Sequence, residues 1–363
     1  MVKPKPIVIS VVGARPQFIK LAALLRRLDR AFASRVVHTG QHFDPEMSEN
    51  FFTECSLRQP DVNLNVGQAP VNRQLARMID RLDGYLDKVK PHAVLVFGDT
   101  TTTTAGALAA GVLNIPVAHI EAGLRSFDKH MAEEKNRVVT DHLATWLFCP
   151  TREAVRNLKA EGITSGICPV GDVMVETFGL PRSRPAGVFD ADVHSPPKMK
   201  DYYYVTLHRA EAVDNPENLK RLIAVLEVLD KPIMFPVHPR TRKRLQLFGL
   251  GKRLARLHNI RLLPPVNHRT SLWLIKNSRA VLTDSGGVQK EAYWAGVRCL
   301  TLRTVTEWGL LVAAGYNELV GFSRTKVKRA IASPFRPRKV TDSVFAKKAV
   351  SISIVRQLLS DLS

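Results

Sequence analysis

Along this chain, short uninterrupted apolar blocks alternate with longer stretches whose apolar positions recur every three or four residues. The blocks read as strands buried on both faces and the recurrent stretches as amphipathic helices. In order, the pattern predicts strands at 7–12, 36–39, 93–97, 116–120 and 146–149, with 62–66 extended. Helices are expected at 17–28, 73–89, 105–113 and 133–145. After residue 200 the alternation resumes, with strands at 202–207, 233–237, 260–262, 280–283 and 299–302 and helices at 215–229, 272–276 and 288–295. Such alternation is the mark of a doubly wound α/β sheet. Two sets predict two Rossmann-like domains, 1–180 and 201–344, with a central cleft. The proline-rich stretch 181–200 is the expected linker. Helical spacing in 340–362 predicts a closing helix, placed at 345–363, that packs back on the first domain.

Size fits this picture, since 363 residues correspond to about two domains and 45% of them are hydrophobic. No apolar run approaches the ~20 residues needed to span a bilayer, and no membrane partner is expected. The N-terminal MVKPKPIVISVVG is like a signal peptide only superficially. No small-residue cleavage site follows it, and Arg15 and Lys20 come too early, so 7–12 is read as the first strand. The four cysteines, Cys55, Cys149, Cys168 and Cys299, show neither zinc-like spacing nor a disulfide framework. A reducing cytoplasm and the absence of a structural metal are the simplest expectations.

Charge changes the picture more. A net charge of +20 raises the possibility of a nucleic-acid partner. The basic residues fall in clusters, Arg240–Arg244, Arg324–Arg329 and Arg336–Lys339, and no zinc finger, RNA-recognition motif or basic heptad helix accompanies them. A solvated basic surface, or attraction for polyanionic substrates, is therefore expected in place of a dedicated nucleic-acid function.

Chemistry concentrates at strand ends. Arg15, Gln41, Asp99, Glu121, His208, His238, Ser285 and Arg303 all follow predicted strands, where open α/β sheets bind ligands. Arg15 and Lys20 lie near a helix start, the wrong end for dipole-favoured cations, which suits an incoming anion. In AVLTDSGGVQKEAYWAG, at 280–296, a strand turns through Ser285, Gly286 and Gly287 into a helix, and Glu291 follows one turn later. Backbone amides and the helix dipole there would hold a phosphate, with Glu291 accepting from ribose hydroxyls. The same turn is also an ordinary helix start capped by Asp284 or Ser285. Similar alternatives stand beside the other groups. Asp99 suits a cap, Glu133 and Glu134 suit a helix N-terminus, and His208 and His238 suit structural roles. No Ser-His-Asp order is evident. Carboxylates with a histidine in an anion-binding cleft point to acid/base work on a phosphorylated or nucleotide substrate.

RPQFIK at 15–20, TGQH at 39–42, FGDTTTT at 97–103, HIEAGLRS at 119–126, EEKNRVVTDH at 133–142, TLHRAE at 206–211, FPVHPR at 235–240 and LTDSGGVQKEA at 282–292 occur in that order. Together they resemble the non-hydrolysing UDP-N-acetylglucosamine 2-epimerases, over residues 7 to 321. The resemblance implies the glycosyltransferase-B type fold and interconversion of UDP-N-acetylglucosamine and UDP-N-acetylmannosamine by elimination of UDP to a 2-acetamidoglucal and re-addition. It implies Asp99, Glu121, Glu133 and His208 as catalytic residues, without deciding which carboxylate is the base. Arg15, Lys20, Arg137, His238, Ser285, Gly286, Gly287 and Glu291 are the implied substrate-binding residues. Neither a metal nor another cofactor is implied, and a homodimer is expected. This sequence departs from the family pattern at Ala132, where proline is common, at 306–310, where Thr-Glu-Trp-Gly-Leu replaces Thr-Glu-x-Pro-Glu, and at 338–343. The Trp308 form also resembles relatives acting on 2,3-diacetamido uronic acid nucleotides. A hydrolysing epimerase is a further alternative. Allosteric activation by substrate, which involves the Gln41-His42 region in some family members, is not assumed, because Phe43-Asp44 follows.

Overall fold

The computed structural model describes residues 4–41, 52, 57–178, 199–345 and 347–362. The expected linker therefore lies almost wholly outside the described residues, as does His42.

One unit comprises Met1–Thr177 and Thr341–Ser363. Its strands are β1 (Ile7–Val12), β2 (Ala33–His38), β3 (Val62–Asn63), β4 (Ala93–Phe97), β5 (Val117–Ile120), β6 (Trp146–Cys149) and β7 (Ile167–Pro169). They form one parallel sheet in the order β3-β2-β1-β4-β5-β6-β7. The order in which strands are added reverses between β1 and β4, which makes that junction the topological switch point. Helices α1 (Arg15–Ala31), α2 (Val71–Val89), α3 (Thr101–Val112), α4 (Ala132–Leu143) and α5 (Arg152–Ala160) connect the strands. One face of the sheet is sealed by Leu21, Leu24 and Leu28 of α1, joined by Ile354 and Leu358 of the C-terminal helix Val350–Leu362. The other face is sealed by Met78, Leu82 and Leu86 of α2 with the alanines of α3.

A second unit comprises Phe178–Val340. Strands β8 (Tyr203–Thr206), β9 (Ile233–Pro236), β10 (Ile260–Leu263), β11 (Ala280–Thr283), β12 (Arg298–Thr301) and β13 (Asn317–Leu319) make a parallel sheet ordered β10-β9-β8-β11-β12-β13. Here the switch point lies between β8 and β11. Helices α6 (Ala210–Val213), α7 (Pro216–Leu226), α8 (Pro239–Leu247), α9 (Gly251–Ala255), α10 (His268–Asn277), α11 (Gly286–Trp294), α12 (Gly309–Ala313) and α13 (Arg324–Ala332) complete the unit. Leu222, Leu245, Leu254 and Val327 bring α7, α8, α9 and α13 onto one sheet face. Leu274, Ile275 and Ala292 bring α10 and α11 onto the other.

Three local differences from the sequence pattern have plain causes. Helix α3 starts at Thr101, not at 105, because the threonine run forms its first turn. Thr103 Oγ1 accepts from Thr100 N at 3.2 Å and donates to Phe97 O at 2.6 Å. The basic run after His238 is solvated, as expected, but it is also a helix, which the pattern did not predict. Pro239 presets its first turn, His238 Nδ1 accepts from Arg240 N at 3.2 Å, and Leu245 is buried beneath it. Residues 340–345 do not join the C-terminal helix, which begins at Val350, because Asp342 Oδ1 accepts from Val344 N at 2.9 Å and Phe345 N at 3.2 Å and closes a turn of its own.

Candidate active site

In the first unit, β1 and β4 deliver their carboxyl ends side by side. Gly13 follows β1, where a Cβ would lie 2.1 Å from Thr39 Oγ1 and 2.4 Å from Thr102 Oγ1, so only glycine fits. Gln17 ties the two strand ends together. Its Oε1 accepts from Gly13 N at 2.8 Å and Ala14 N at 3.0 Å, and its Nε2 donates to Phe97 O at 3.1 Å. Arg15 stands half-buried in the first turn of α1. Lys20 points inward, and its Nζ donates to Glu121 Oε1 at 2.8 Å, with the two side chains 5% and 10% exposed. Gly98, at φ +65°, makes room for that ammonium, since a Cβ there would sit 2.7 Å from Lys20 Nζ.

Glu121 itself adopts φ +76°, in the left-handed region that a glutamate rarely enters. The turn after β5 imposes this, because the amides of Glu121 and Ala122 both donate to Phe148 O at 3.1 Å. A strained backbone that aims a nearly buried carboxylate is a common sign of a functional position.

Beneath it lies a charged hub that the sequence reading did not single out. Asp141, fully buried, accepts from His119 Nδ1 and Arg125 Nη1 at 2.7 Å each and from Gly123 N at 3.1 Å. His119 Nε2 lies 2.7 Å from Gly98 O, so the ring bridges the carboxylate and a backbone carbonyl. Burial pushes the Asp141 carboxyl up, yet His119 and Arg125 outweigh it and hold the group below its ordinary range. A histidine in an otherwise apolar strand was the available signal for this hub.

Asp99 and Arg137 are in direct contact, and Asn136 Nδ2 donates to Asp99 O at 2.8 Å. Glu134 is buried, where it accepts from Ser126 N at 2.8 Å, Phe127 N at 2.9 Å and Arg137 Nη1 at 3.2 Å. Glu133, its neighbour in the first turn of α4, is half-buried. Thus Lys20 with Glu121, and Asp99 with Arg137, meet within the first unit. Glu134 is the carboxylate that fixes the loop beside them.

The second unit repeats the logic at its own switch point. His208 follows β8 and Asp284 follows β11. Asp284 Oδ2 accepts from His208 N at 3.0 Å and Arg209 N at 2.7 Å, while Oδ1 lies 3.4 Å from His208 Nδ1. The His208 ring is 38% exposed, open to a reactant, and its centroid is 5.6 Å from that of His238. Of the two capping candidates, Ser285 is the cap, its Oγ accepting from Val288 N at 3.4 Å, and Asp284 turns back to the histidine. Gly286 begins α11 under tight constraint, since a Cβ would meet Glu307 Oε1 at 2.1 Å. Gly287 has nothing nearer than Ser285 Oγ at 3.9 Å. Glu307 is held by Arg303 Nη1 at 2.9 Å, with Arg209 Nη2 at 3.8 Å. Glu291 Oε1 pairs with His268 Nε2 at 2.9 Å, a partner the sequence reading missed because His268 lies 23 residues upstream. This turn offers backbone amides at the start of a helix, which suits an anion. Among the described residues, no three His, Cys, Asp or Glu side chains converge as a metal-binding group. No helix among them is long and apolar enough to cross a membrane.

Comparison with known proteins adds the chemistry. A family model described as UDP-N-acetylglucosamine 2-epimerase matches residues 26–358. A Methanococcus maripaludis protein described as a UDP-N-acetylglucosamine 2-epimerase homolog is 45% identical, over 97% of this chain and 99% of its own. The UDP-2,3-diacetamido-2,3-dideoxy-D-glucuronate 2-epimerase of Pseudomonas aeruginosa is 41% identical, over 88% and 90%. The crystal structure of Methanocaldococcus jannaschii UDP-GlcNAc 2-epimerase in complex with UDP-GlcNAc and UDP matches with a TM-score of 0.90 at 39% identity, over 98% of this chain and 99% of that one. The two Rossmann-like sheets are those of the glycosyltransferase-B type.

Proposed function

The chain belongs to the UDP-N-acetylglucosamine 2-epimerase family, and from that premise we propose that it interconverts UDP-N-acetylglucosamine and UDP-N-acetylmannosamine without releasing the sugar. Carbon 2 has no adjacent carbonyl, so loss of its proton alone gives no stabilised carbanion. Elimination avoids that difficulty. A base removes the carbon-2 proton as the carbon-1 to oxygen bond breaks, and the bonding pair leaves with UDP. The product is a 2-acetamidoglucal. UDP then adds back at carbon 1 while an acid delivers a proton to the opposite face of carbon 2.

In the second unit, the amides of Gly286 and Gly287, in the turn that Ser285 caps, hold the diphosphate at the start of α11, and His238 lies beside His208. In the first unit, Arg15 and Arg137 are the cations assigned to the substrate. Glu291, oriented by His268, takes the ribose. Asp99, Glu121, Glu133 and His208 supply the base and the acid. Retaining UDP through the cycle separates this scheme from hydrolysis, since escape of UDP would strand the glycal. No cofactor takes part, and the enzyme works as a homodimer. The observation that carries the reading is Glu121, a nearly buried carboxylate held against Lys20 by a left-handed backbone.

Proton NMR with UDP-N-acetylglucosamine in deuterated water tests it. UDP-N-acetylmannosamine bearing deuterium at carbon 2 is expected. Free N-acetylmannosamine with equal UDP would instead assign a hydrolysing epimerase. A second reading, epimerisation of UDP-2,3-diacetamido-glucuronic acid, draws on the Pseudomonas aeruginosa relative and on the Thr306-Glu307-Trp308 segment. Turnover of that nucleotide alone would replace the first reading.

A further inference from the structure

We propose that one helix layer of the second unit is a docking surface for an anionic membrane, a peripheral contact with phosphate head groups and not a span. Residues 178–340 carry 29 of the chain's 53 Lys and Arg but only 12 of its 33 Asp and Glu, so most of the net +20 resides in this unit. Within the unit the excess lies on one side. Helices α7, α8, α9 and α13 share one sheet face. Residues 239–256 hold seven basic and no acidic side chains, and 324–332 hold four basic and none acidic. Ten of these eleven are exposed, Arg244 being half-buried. Asp214 pairs with Arg240 and Arg244, Glu227 with Arg253 and Glu318 with Arg329, which leaves the layer strongly positive. The opposite layer has no such run. Residues 268–294 carry four basic and two acidic side chains.

Two features select lipid among polyanions. Leu247, at the end of α8, is 65% exposed among these cations. An exposed apolar side chain on a helix that carries Arg240, Arg242, Lys243 and Arg244 matches the boundary between head groups and acyl chains. Beside α13 lies an open groove of about 480 Å³, walled by Arg324, Lys328 and Arg329 with Val228 and Ala332 as its apolar lining. That is the chemistry of a phosphate head group with the start of its tail. A surface for single-stranded nucleic acid would present aromatic rings for stacking. The one aromatic in these segments, Phe248, packs against the core.

The test is co-sedimentation of the full-length protein with vesicles of phosphatidylcholine alone or with a minority of phosphatidylglycerol. Binding is expected only to the anionic vesicles at about 0.1 M salt, and is expected to be lost at high salt. Each cation removed near such a surface lowers partitioning about fivefold, so Lys252→Gln, Lys326→Gln and Lys328→Gln combined should lower it about a hundredfold. Leu247→Ser should lower it about tenfold. Far-UV dichroism checks folding. If the triple variant does not fold, Leu247→Ser and the salt series decide the matter. No binding to anionic vesicles, equal binding to phosphatidylcholine, or unchanged binding by these variants overturns the proposal. So does displacement of vesicles by a DNA oligonucleotide with Leu247→Ser indistinguishable from the parent, which would assign the face to nucleic acid. The readout needs no turnover, so it stands or falls apart from the epimerase reading.

Discussion

Replacing Asp141 by alanine would take the acceptor away from three buried donors at once. His119 Nδ1 and Arg125 Nη1, each 2.7 Å from the carboxylate, and Gly123 N at 3.1 Å would face an empty site. Arg125 would keep Glu161, at 2.6–2.7 Å, and His119 would keep only Gly98 O. Stripping the anion from a buried, hydrogen-bonded charge group costs about 3–5 kcal/mol, a large part of the ~5–15 kcal/mol that holds a domain folded. Asparagine should do less harm. Its amide can donate to His119 Nδ1 in the tautomer that keeps the ring proton on Nε2, while its oxygen still accepts from Arg125 and Gly123. About half of the loss should return, roughly 1–3 kcal/mol remaining. Urea unfolding followed by far-UV dichroism measures both variants. The pH dependence has a definite sign. Because the native carboxyl is held below its ordinary value of 3.8, its stabilisation is present above that value and lost as pH falls through the lower, native one. The gap between the parent and the alanine variant should therefore close under acid. An alanine variant within about 1 kcal/mol of the parent would refute the reasoning, and so would an asparagine variant as damaged as alanine.

Further expectations concern the two switch points and the cysteines. Glu121→Gln should lower deuterium incorporation at carbon 2 by about 10²–10⁴-fold while the variant still binds UDP by calorimetry. Undiminished incorporation would remove Glu121 from the proton-transfer set. Gly286→Ala, whose Cβ would lie 2.1 Å from Glu307 Oε1, should weaken UDP binding at least tenfold, whereas Gly287→Ala, with 3.9 Å of clearance, should retain folding and most of the affinity. Equal effects would show that the two positions are not distinguished by space. Cys299, fully buried with its thiol pushed up to about 12 by desolvation, should resist iodoacetamide in the native protein and react after unfolding, as mass spectrometry of the modified peptide would report.

Much of the fold was legible because parallel strands buried on both faces, such as Ala93–Phe97, leave an unbroken apolar run that few other elements imitate. The strand ends were legible for the same reason, since polar residues at the close of such runs stand out. What escaped was short or amphipathic. Helix α8 offers little beyond Leu245 as an apolar signal, and its basic run reads as surface until Pro239 and the His238 cap are seen to start a turn. The threonine run hid the first turn of α3, because β-branched residues argue against a helix until Thr103 is seen to hydrogen-bond back on both sides. In the candidate site, individual residues at 99, 121, 208 and 285 could be named from position alone, and Arg137 only through the resemblance. Their partners could not. His119 with Asp141, and His268 with Glu291, are separated by 22 and 23 residues and meet only through packing.

The left-handed backbone at Glu121 sets a conflict for selection. At φ +76° glycine would relieve strain of about 1–2 kcal/mol, and asparagine some of it. Neither supplies a carboxylate for Lys20. A library screened for heat resistance alone should drift toward glycine or asparagine at 121 and shed the positive charge at 20 with it. A library screened for turnover should hold both. The position thus records which of the two a lineage has been asked to keep.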